Sequence, residues 1–186
     1  MAPPKLCDIS EIRPYLFLSG FGCVTEKKLS ERGINFVINA TNIPRIRQIE
    51  NVEYLDIPVD DNAIANISSY FEQSTEFIKN AKQKGGKTLV YCAAGVSRSA
   101  TICIIYLVMD EGLTLREAYH DVVQRRPFIS PNIGFWRQMI EFEEKLRGKS
   151  SVNLLRGMRR PVPDVYLVKP APNEELKDSF SIGFST

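Results

Sequence analysis

The sequence predicts an α/β fold built on a mainly parallel sheet. Short apolar runs typical of buried strands alternate with longer segments of helical periodicity, and this order favours parallel strands joined by helices. A turn of small residues within CAAGVSRSA (92–100) follows one such run. It leads into a helix that is apolar on nearly every side, as expected for a helix in the middle of a domain. The 186 residues suit one domain with tails.

The first third of the chain contains three predicted strands, over residues 11–20, 34–41 and 53–59. Residues 1–10 form a lead-in before them. Pro14 favours an edge position for the first strand, because proline cannot donate to a neighbouring strand. Thr25 is expected to cap a short helix that ends at Gly33.

The rest of the domain contains one more predicted buried strand, at residues 88–91. It also contains four predicted helices, at residues 68–85, 98–112, 114–126 and 132–148. Ser68 and Thr114 are candidate caps for two of the helices. Beyond Gly148 the chain carries four prolines and little periodicity. We therefore expect residues 149–186 to form an extension that packs at first and is disordered at its end.

The composition narrows the class of protein. Hydrophobic residues make up 44% of the chain, charged residues 25%, and the net charge is +2, so neither nucleic acid nor a membrane surface is expected as a partner. No apolar run is long enough to span a membrane, and the N-terminus lacks a signal-peptide core. The four cysteines have neither disulfide-framework nor zinc-site spacing. Hence no metal or cofactor is expected, and a reducing intracellular compartment fits them.

The segment from Cys92 to Arg98 has the composition of an anion-binding turn. Its backbone N–H groups, with a helix N-terminus beneath them, can surround a tetrahedral dianion. The positive electrostatic field of these N–H groups and of the helix N-terminus would also lower the pKa of Cys92. The thiolate would then be a nucleophile for phosphoryl transfer through a cysteinyl-phosphate. The alternative is an ordinary buried cysteine at a strand end. The expected phosphate-binding residues are Ala93, Ala94, Gly95, Val96, Ser97 and Arg98.

Two other features of the chain do not compete with this turn. Cys7 and Arg13 have the same spacing, but no strand precedes them, no glycine lies between them, and two acids there would repel a phosphate. The single histidine, His120, lies within a predicted amphipathic helix, where packing or surface exposure accounts for it. The nucleophile must therefore be activated without a histidine base.

Five further side chains are candidates for the chemistry. Arg98 can donate a fork of two hydrogen bonds to phosphoryl oxygens, a geometry that lysine lacks. Ser99 can donate to the sulfur and stabilise the leaving thiolate, with capping of the helix as the alternative. A general acid must protonate the departing oxygen. Asp61 is preferred for that role over Asp56 and Asp60 because it lies past the strand end; the alternative for each is a solvated loop carboxylate.

These residues resemble the cysteine-dependent protein tyrosine phosphatase superfamily, and within it the small, atypical dual-specificity phosphatases. The resemblance covers residues 11–148, the expected catalytic domain, through the segments CAAGVSRSA (92–100), YLDIPVDD (54–61), SSYFEQSTEFI (68–78) and RRPFISPNIGFWRQMIEFE (125–143). It implies a twisted central sheet flanked by helices, with the phosphate loop between a strand and a buried helix.

The resemblance also implies roles for individual residues. It places the nucleophile at Cys92, the phosphate clamp at Arg98, the thiolate-supporting hydroxyl at Ser99 and the general acid at Asp61. Asn132 matches a family asparagine that helps to hold the phosphate loop, which is a structural role.

One residue departs from the family pattern. The family usually has a histidine before the nucleophile, which braces the loop and helps to set the thiol pKa, and this chain has Tyr91. We expect a working enzyme with a less acidic Cys92. The alternatives are a module that binds phosphoproteins with weak turnover, and an enzyme that uses the same loop on a non-protein phosphate.

The predicted activity is metal-independent hydrolysis of phosphotyrosine and phosphoserine or phosphothreonine in proteins. The uncharged interior of the loop favours a singly phosphorylated side chain over a polyanionic lipid or an RNA 5′-triphosphate. By resemblance, the phosphorylated partners extend to members of the MAP kinase pathway. An intracellular location, cytoplasmic and nuclear, is expected, and the sequence does not indicate an oligomeric state.

Overall fold

The computed structural model describes residues 6–43, 47–155, 157 and 160–167. The helices and strands of the domain, in chain order, are β1 (Ser10–Arg13), β2 (Leu16–Gly20), α1 (Glu26–Arg32), β3 (Phe36–Asn39), β4 (Glu53–Asp56), α2 (Phe71–Gln83), β5 (Thr88–Cys92), α3 (Arg98–Asp110), α4 (Leu115–Arg125) and α5 (Ile133–Arg147). Two short strands follow, β6 (Leu154–Leu155) and β7 (Val162–Pro163).

Five strands form one sheet in the order β1-β2-β5-β3-β4. The central strand β5 pairs in parallel with β2 and β3, and β4 pairs in parallel with β3, whereas β1 runs antiparallel to β2. The predicted α/β fold with a mainly parallel sheet is confirmed. Because parallel strands end at the same edge of a sheet, the loops after β2, β5, β3 and β4 meet at the carboxyl edge.

The helices divide the interior into two hydrophobic layers. Helix α3 lies against the sheet among α2, α4 and α5, and eleven of its thirteen residues are buried, as its uniformly apolar sequence predicts. The opposite face of the sheet is covered by α1 through Leu29, which packs with Val37 and Leu89. Trp136 is buried in the larger layer.

Most of the predicted helix ends are confirmed. The Thr25 hydroxyl accepts from the N–H of Lys28, and Gly33 ends α1 in a left-handed conformation. Thr114 and Glu117 form a reciprocal capping box at the start of α4. These caps satisfy backbone groups that a helix end otherwise leaves without partners.

Two local predictions are wrong. Residues 11–20 form two strands joined by a turn at Pro14 rather than one strand, because proline fixes a turn and removes the N–H that a continuous strand would use. The predicted edge position is correct for β1, which precedes Pro14. Ser68 does not cap α2. It begins a short 3₁₀ turn, and the carboxamide oxygen of Asn66 accepts from the Ser68 hydroxyl and from the N–H of Ser69.

Residues 160–167 pack back onto the domain. Tyr166 accepts a hydrogen bond of 2.8 Å from the indole nitrogen of Trp136, and Asp164 pairs with Arg116 at 2.8 Å. Residues 168–186, which contain the end predicted to be disordered, lie outside the described residues. Over the described ranges, no helix is both long and apolar enough to cross a bilayer.

Candidate active site

The turn between β5 and α3 forms a tight loop over residues 93–97. Gly95 has a φ of +70°, and a Cβ at this position would lie 2.6 Å from the backbone nitrogen of Gly20. Gly20 is constrained in turn, because its own Cβ would lie 3.0 Å from the carbonyl carbon of Ala94. The loop therefore folds tightly against the end of β2, where Gly95 leaves no room for a side chain and Gly20 leaves very little.

The sulfur of Cys92 lies at the base of this loop. The N–H of Gly95 and the hydroxyl of Ser99 both donate to it at 3.2 Å. Burial by itself raises the pKa of the thiol. Hydrogen bonds from the Ser99 hydroxyl and from the backbone N–H groups of Ser99, Val96 and Gly95 outweigh that effect, so the pKa of Cys92 is lowered. The predicted contact between Ser99 and the sulfur is therefore present in the structure.

Arg98 occupies the first turn of α3, directly beside the loop. Its side chain is buried, and its Nη1 donates to the carbonyl of Val59 at 3.2 Å. Its Nε is buried without a hydrogen-bond partner among the described residues. A buried cationic donor without a hydrogen bond is costly, and a phosphoryl oxygen is the type of acceptor that would satisfy it.

Asp61 is the candidate acid that the fold brings to the loop. Its Oδ1 accepts from the Ser97 hydroxyl at 2.7 Å and from the Asn132 side-chain nitrogen at 2.8 Å, and its Oδ2 lies 3.7 Å from Nε of Arg98. The other two candidate acids lie elsewhere: Asp56 accepts from Asn39, and Asp60 accepts from Asn42. Only Asp61 contacts the phosphate loop among these three.

Asn132 connects the loop, the acid and a helix. Its side-chain oxygen caps α5 by accepting from the N–H of Phe135 at 3.1 Å, and its own backbone N–H donates to the Ser97 hydroxyl at 3.0 Å. Ser97, to which the sequence assigned no role beyond the phosphate loop itself, therefore bridges Asp61 and Asn132. The sequence pattern gave no signal for this bridge, because its three residues are far apart in the chain.

The loop that carries Asp61 is supported by the first turns of α5. A Cβ on Gly134 would overlap the backbone of Ala63, so glycine allows the acid loop to lie directly on the helix. The side chain of Gln138 donates to the carbonyl of Ala65 at 2.8 Å and accepts from the N–H of Ser68 at 2.9 Å. These contacts fix the position of Asp61 relative to the phosphate loop.

Arg126 supports the phosphate loop from beneath, and sequence reasoning missed it. It is fully buried, and its guanidinium donates to the carbonyls of Gly95 at 2.7 Å and Ala94 at 3.3 Å. It also donates to the carbonyls of Leu6 and Asp8. By binding loop carbonyls from below, it leaves the loop N–H groups directed at the anion site. The feature of the sequence that could have indicated this role is the position of the arginine, directly before the helix-breaking Pro127.

Tyr91 faces away from the sulfur. Its ring lies in the layer under α1, 6.0 Å from the ring of Phe21, whereas Cys92 lies in the opposite layer. Its hydroxyl is buried without a partner among the described residues, and burial followed by the charges of Tyr54 and Asp56 raises its pKa. Tyr91 therefore donates no hydrogen bond to the phosphate loop, and the acidity of Cys92 rests on the loop amides and Ser99.

The two sequence features set aside above lie outside the site. Arg13 pairs with Glu111 and Asp121 at the interface of β1 with α4, not with Cys7. His120 packs edge-on against Tyr119 within α4. Within the ranges that the structure describes, no cluster of three or more His, Cys, Asp or Glu side chains is arranged to hold a metal ion.

A strand, an anion-binding turn with a thiol of lowered pKa, a buried arginine and a nearby carboxylic acid define a cysteine-dependent phosphatase. The model of the dual specificity phosphatase catalytic domain matches residues 16–145 of the chain. The chain therefore belongs to the dual-specificity protein phosphatase family and acts on phosphorylated proteins. The interpretation as a binding module with weak turnover is not favoured.

Individual relatives agree with this assignment. The chain is 45% identical over 174 residues to dual specificity protein phosphatase 14 of Homo sapiens, with 89% of this chain and 87% of the relative covered. It is 36% identical over 164 residues to dual specificity protein phosphatase 18 of Rattus norvegicus, covering 88% and 80%. A crystal structure of a mouse putative dual specificity phosphatase complexed with zinc tungstate matches with a TM-score of 0.72 at 30% identity, covering 80% and 92%.

Replacing Tyr91 with histidine tests whether the departure from the family pattern makes Cys92 less acidic. The hydrogen bonds to the sulfur lower the pKa of Cys92 more than burial raises it. The native thiol should therefore become reactive at a lower pH than free cysteine, whose pKa is about 8.5. The hypothesis requires that Tyr91→His moves the midpoint of alkylation to lower pH, whereas the orientation of residue 91 away from the sulfur predicts no shift. The rate of iodoacetamide alkylation against pH measures both midpoints, and equal values would refute the hypothesis.

Replacing Arg126 with lysine tests its support of the loop. Lysine keeps the charge but loses the planar set of donors to two loop carbonyls, so kcat/KM on an aryl phosphate should fall about tenfold or more. Vanadate should bind more weakly, and the midpoint of Cys92 alkylation should rise. The neighbouring Arg125→Lys, at a surface pair with Asp121, is the matched control and should change kcat/KM by less than about twofold. Unchanged vanadate affinity in folded Arg126→Lys contradicts the proposed role.

Proposed function

We propose that this chain hydrolyses phosphorylated tyrosine, serine and threonine side chains through a cysteinyl-phosphate on Cys92, without a metal ion. The proposal is supported above all by one observation. A sulfur whose pKa is lowered by Ser99 and the loop amides lies beneath the same loop to which Asp61 is hydrogen-bonded. Nucleophile, clamp and acid are thereby held around one anion-sized site.

In the first step, the thiolate of Cys92 attacks phosphorus and the bond from phosphorus to the side-chain oxygen breaks. The loop N–H groups and Arg98 bind the equatorial oxygens, whose charge must be stabilised throughout the transfer. Asp61 gives its proton to the departing phenol or alcohol oxygen. The dephosphorylated side chain leaves, and the phosphoryl group remains on sulfur.

In the second step, water attacks phosphorus and the bond from phosphorus to sulfur breaks. The Asp61 carboxylate takes the proton from the attacking water, which restores the acid for the next turnover. Ser99 donates a hydrogen bond to the departing sulfur, at the contact that is already 3.2 Å in the structure. Inorganic phosphate then leaves the loop.

The uncharged loop supports a monophosphorylated protein side chain as the substrate. Residues 93–97 contribute backbone donors but no lysine or arginine that could hold a second phosphate. The mouse relative is complexed with zinc tungstate, and tungstate is a tetrahedral oxyanion, the shape that this loop would accommodate. Kinases of the MAP kinase pathway fit this substrate class, and we propose them on family similarity.

A reducing compartment is proposed for the protein, in the cytoplasm and the nucleus. The support is chemical, because a thiolate nucleophile is exposed to oxidation wherever disulfides persist. The described cysteines are all free thiols.

The nucleophile is tested by hydrolysis of an activated aryl phosphate in excess chelator. The wild-type protein should turn over the substrate, and Cys92→Ser should lose essentially all activity because a serine hydroxyl at neutral pH is a far weaker nucleophile than a thiolate. Cys103→Ser, at another buried cysteine, is the matched control and should remain active. Binding of phosphopeptide without turnover by the wild type would contradict the proposed activity.

The role of Asp61 is tested with a series of leaving groups. Asp61→Asn should slow alkyl phosphates by about 100-fold and aryl phosphates with good leaving groups much less, because only the former need the proton badly. Asp60→Asn, on the same loop but bonded to Asn42, is the control and should leave the series unchanged. Equal losses across the series would remove Asp61 from the acid role.

A further inference from the structure

We propose that three exposed apolar side chains around the phosphate loop select phosphoproteins whose phosphorylated residue is flanked by apolar rather than acidic residues. The three side chains, Phe21, Ile43 and Ile64, are called the apolar rim here. The inference rests on the proposed function, because it assigns the substrate class of that same site. It concerns the polypeptide on either side of the phosphorylated residue, which the phosphate loop itself does not contact.

The strand order places the rim on both sides of the phosphate loop. Phe21 follows β2, Ile43 follows β3 and Ile64 follows β4, all at the carboxyl edge of the sheet. Since β5 lies between β2 and β3, its loop has Phe21 on one side and Ile43 and Ile64 on the other. A peptide whose phosphate enters the loop would therefore have a rim segment on either side of it.

The rim residues are unusually exposed for their type. The exposed fraction is 42% for Phe21, 49% for Ile43 and 94% for Ile64. A single exposed apolar residue is ordinary, but three on separate loops around one site are the pattern of a binding surface. Ile64 lies three residues after Asp61, on the same loop as the proposed acid.

Local hydrogen bonds fix the segments that display the rim. The N–H of Phe21 donates to the carbonyl of Ala93, in the phosphate loop itself, at 3.1 Å. The side-chain oxygen of Asn62 accepts from the N–H of Ile64 at 3.1 Å, and Asn42 binds Asp60 at 2.8 Å. A surface already held in place loses less entropy when it binds, so each apolar contact contributes more to affinity.

The charges beside the rim disfavour acidic substrates. The segments that carry the rim and the loop, residues 20–25, 40–43, 57–65 and 93–97, contain no lysine or arginine and two aspartates. Of these, Asp61 carries the proton that it donates in the proposed first step, so the negative charge beside the bound substrate is that of Asp60. Arg47, further along the loop after β3, lines a separate groove with Glu26 and Glu50 beside α1. Acidic residues next to the phosphate would therefore meet like charge without a cation in these segments to offset it.

The inference is tested with two phosphotyrosine peptides of equal length, one with leucine and valine on both sides of the phosphotyrosine and one with glutamate and aspartate. The wild-type protein should show a kcat/KM about tenfold higher on the apolar peptide than on the acidic one. Burying part of two aliphatic side chains against the rim contributes enough free energy for a difference of about tenfold. An activated aryl phosphate, which cannot reach the rim, reports the chemistry alone.

Single substitutions test whether a preference for the apolar peptide comes from the rim. Ile64→Ser should lower kcat/KM on the apolar peptide about fivefold and leave the aryl phosphate unchanged, since it removes a peptide contact only. Ile64→Lys should also raise turnover of the acidic peptide, because it adds a cation beside it. Leu146→Ser is the matched control, as Leu146 is an aliphatic residue of α5 with 53% exposure that lies outside the rim segments, and it should change neither substrate.

Two results would overturn the inference while leaving the proposed function intact. One is equal kcat/KM for the two peptides in a protein that hydrolyses the aryl phosphate through Cys92. The other is a loss in Ile64→Ser that is equal for peptide and aryl phosphate, which would make the residue structural. If the wild-type protein does not hydrolyse the aryl phosphate, the proposed function is refuted instead. The rim is then tested separately, by comparing the affinity of Cys92→Ser for the two peptides.

Discussion

The active site depends on hydrogen-bond donors that reach a sulfur which burial alone would keep protonated. Cys92 is almost completely buried, and an isolated thiol in that position would be less acidic than free cysteine. Ser99 and the amides of the loop reverse the effect, because each donates to the sulfur more favourably when it is charged. Those amides point at the sulfur only if the loop carbonyls are bound elsewhere. Arg126 binds two of these carbonyls from beneath.

The rest of the fold can be understood as support for that loop. Strand β5 lies in the centre of the sheet and α3 lies in the centre of the helical layer, so the turn between them is held at both ends by the most buried elements of the chain. Helix α5 supplies the second support. Its cap, Asn132, holds Ser97 and Asp61 together, and Gly134 lets the acid loop lie on its first turn. Loop and acid are thus fixed by the same helix.

Tyr91 illustrates how a departure from a family pattern can be absorbed. The side chains of β5 alternate between the two layers, so Tyr91 packs under α1 while Cys92 faces α3. Its buried hydroxyl has no partner in the described part of the chain, which is a local cost. The donors to the sulfur come from the other side of the strand, so the loop retains its chemistry without help from residue 91.

The sequence by itself determined the fold class, most of the helices and their caps, and the identity of the phosphate loop. These features depend on neighbouring residues: the period of apolar positions, a threonine before a helix, and a thiol, glycine and arginine within one turn. It also singled out Asp61 among three acids by its place after β4, although its partners were not visible.

Only the tertiary structure decided which distant side chains meet at the loop. Arg126 is thirty-one residues from Gly95, and Asn132 is seventy-one from Asp61, so no local pattern links them. The physical reason is common to both cases. A buried polar group takes whichever partner the folded chain brings near, and that choice does not follow from its neighbours in sequence.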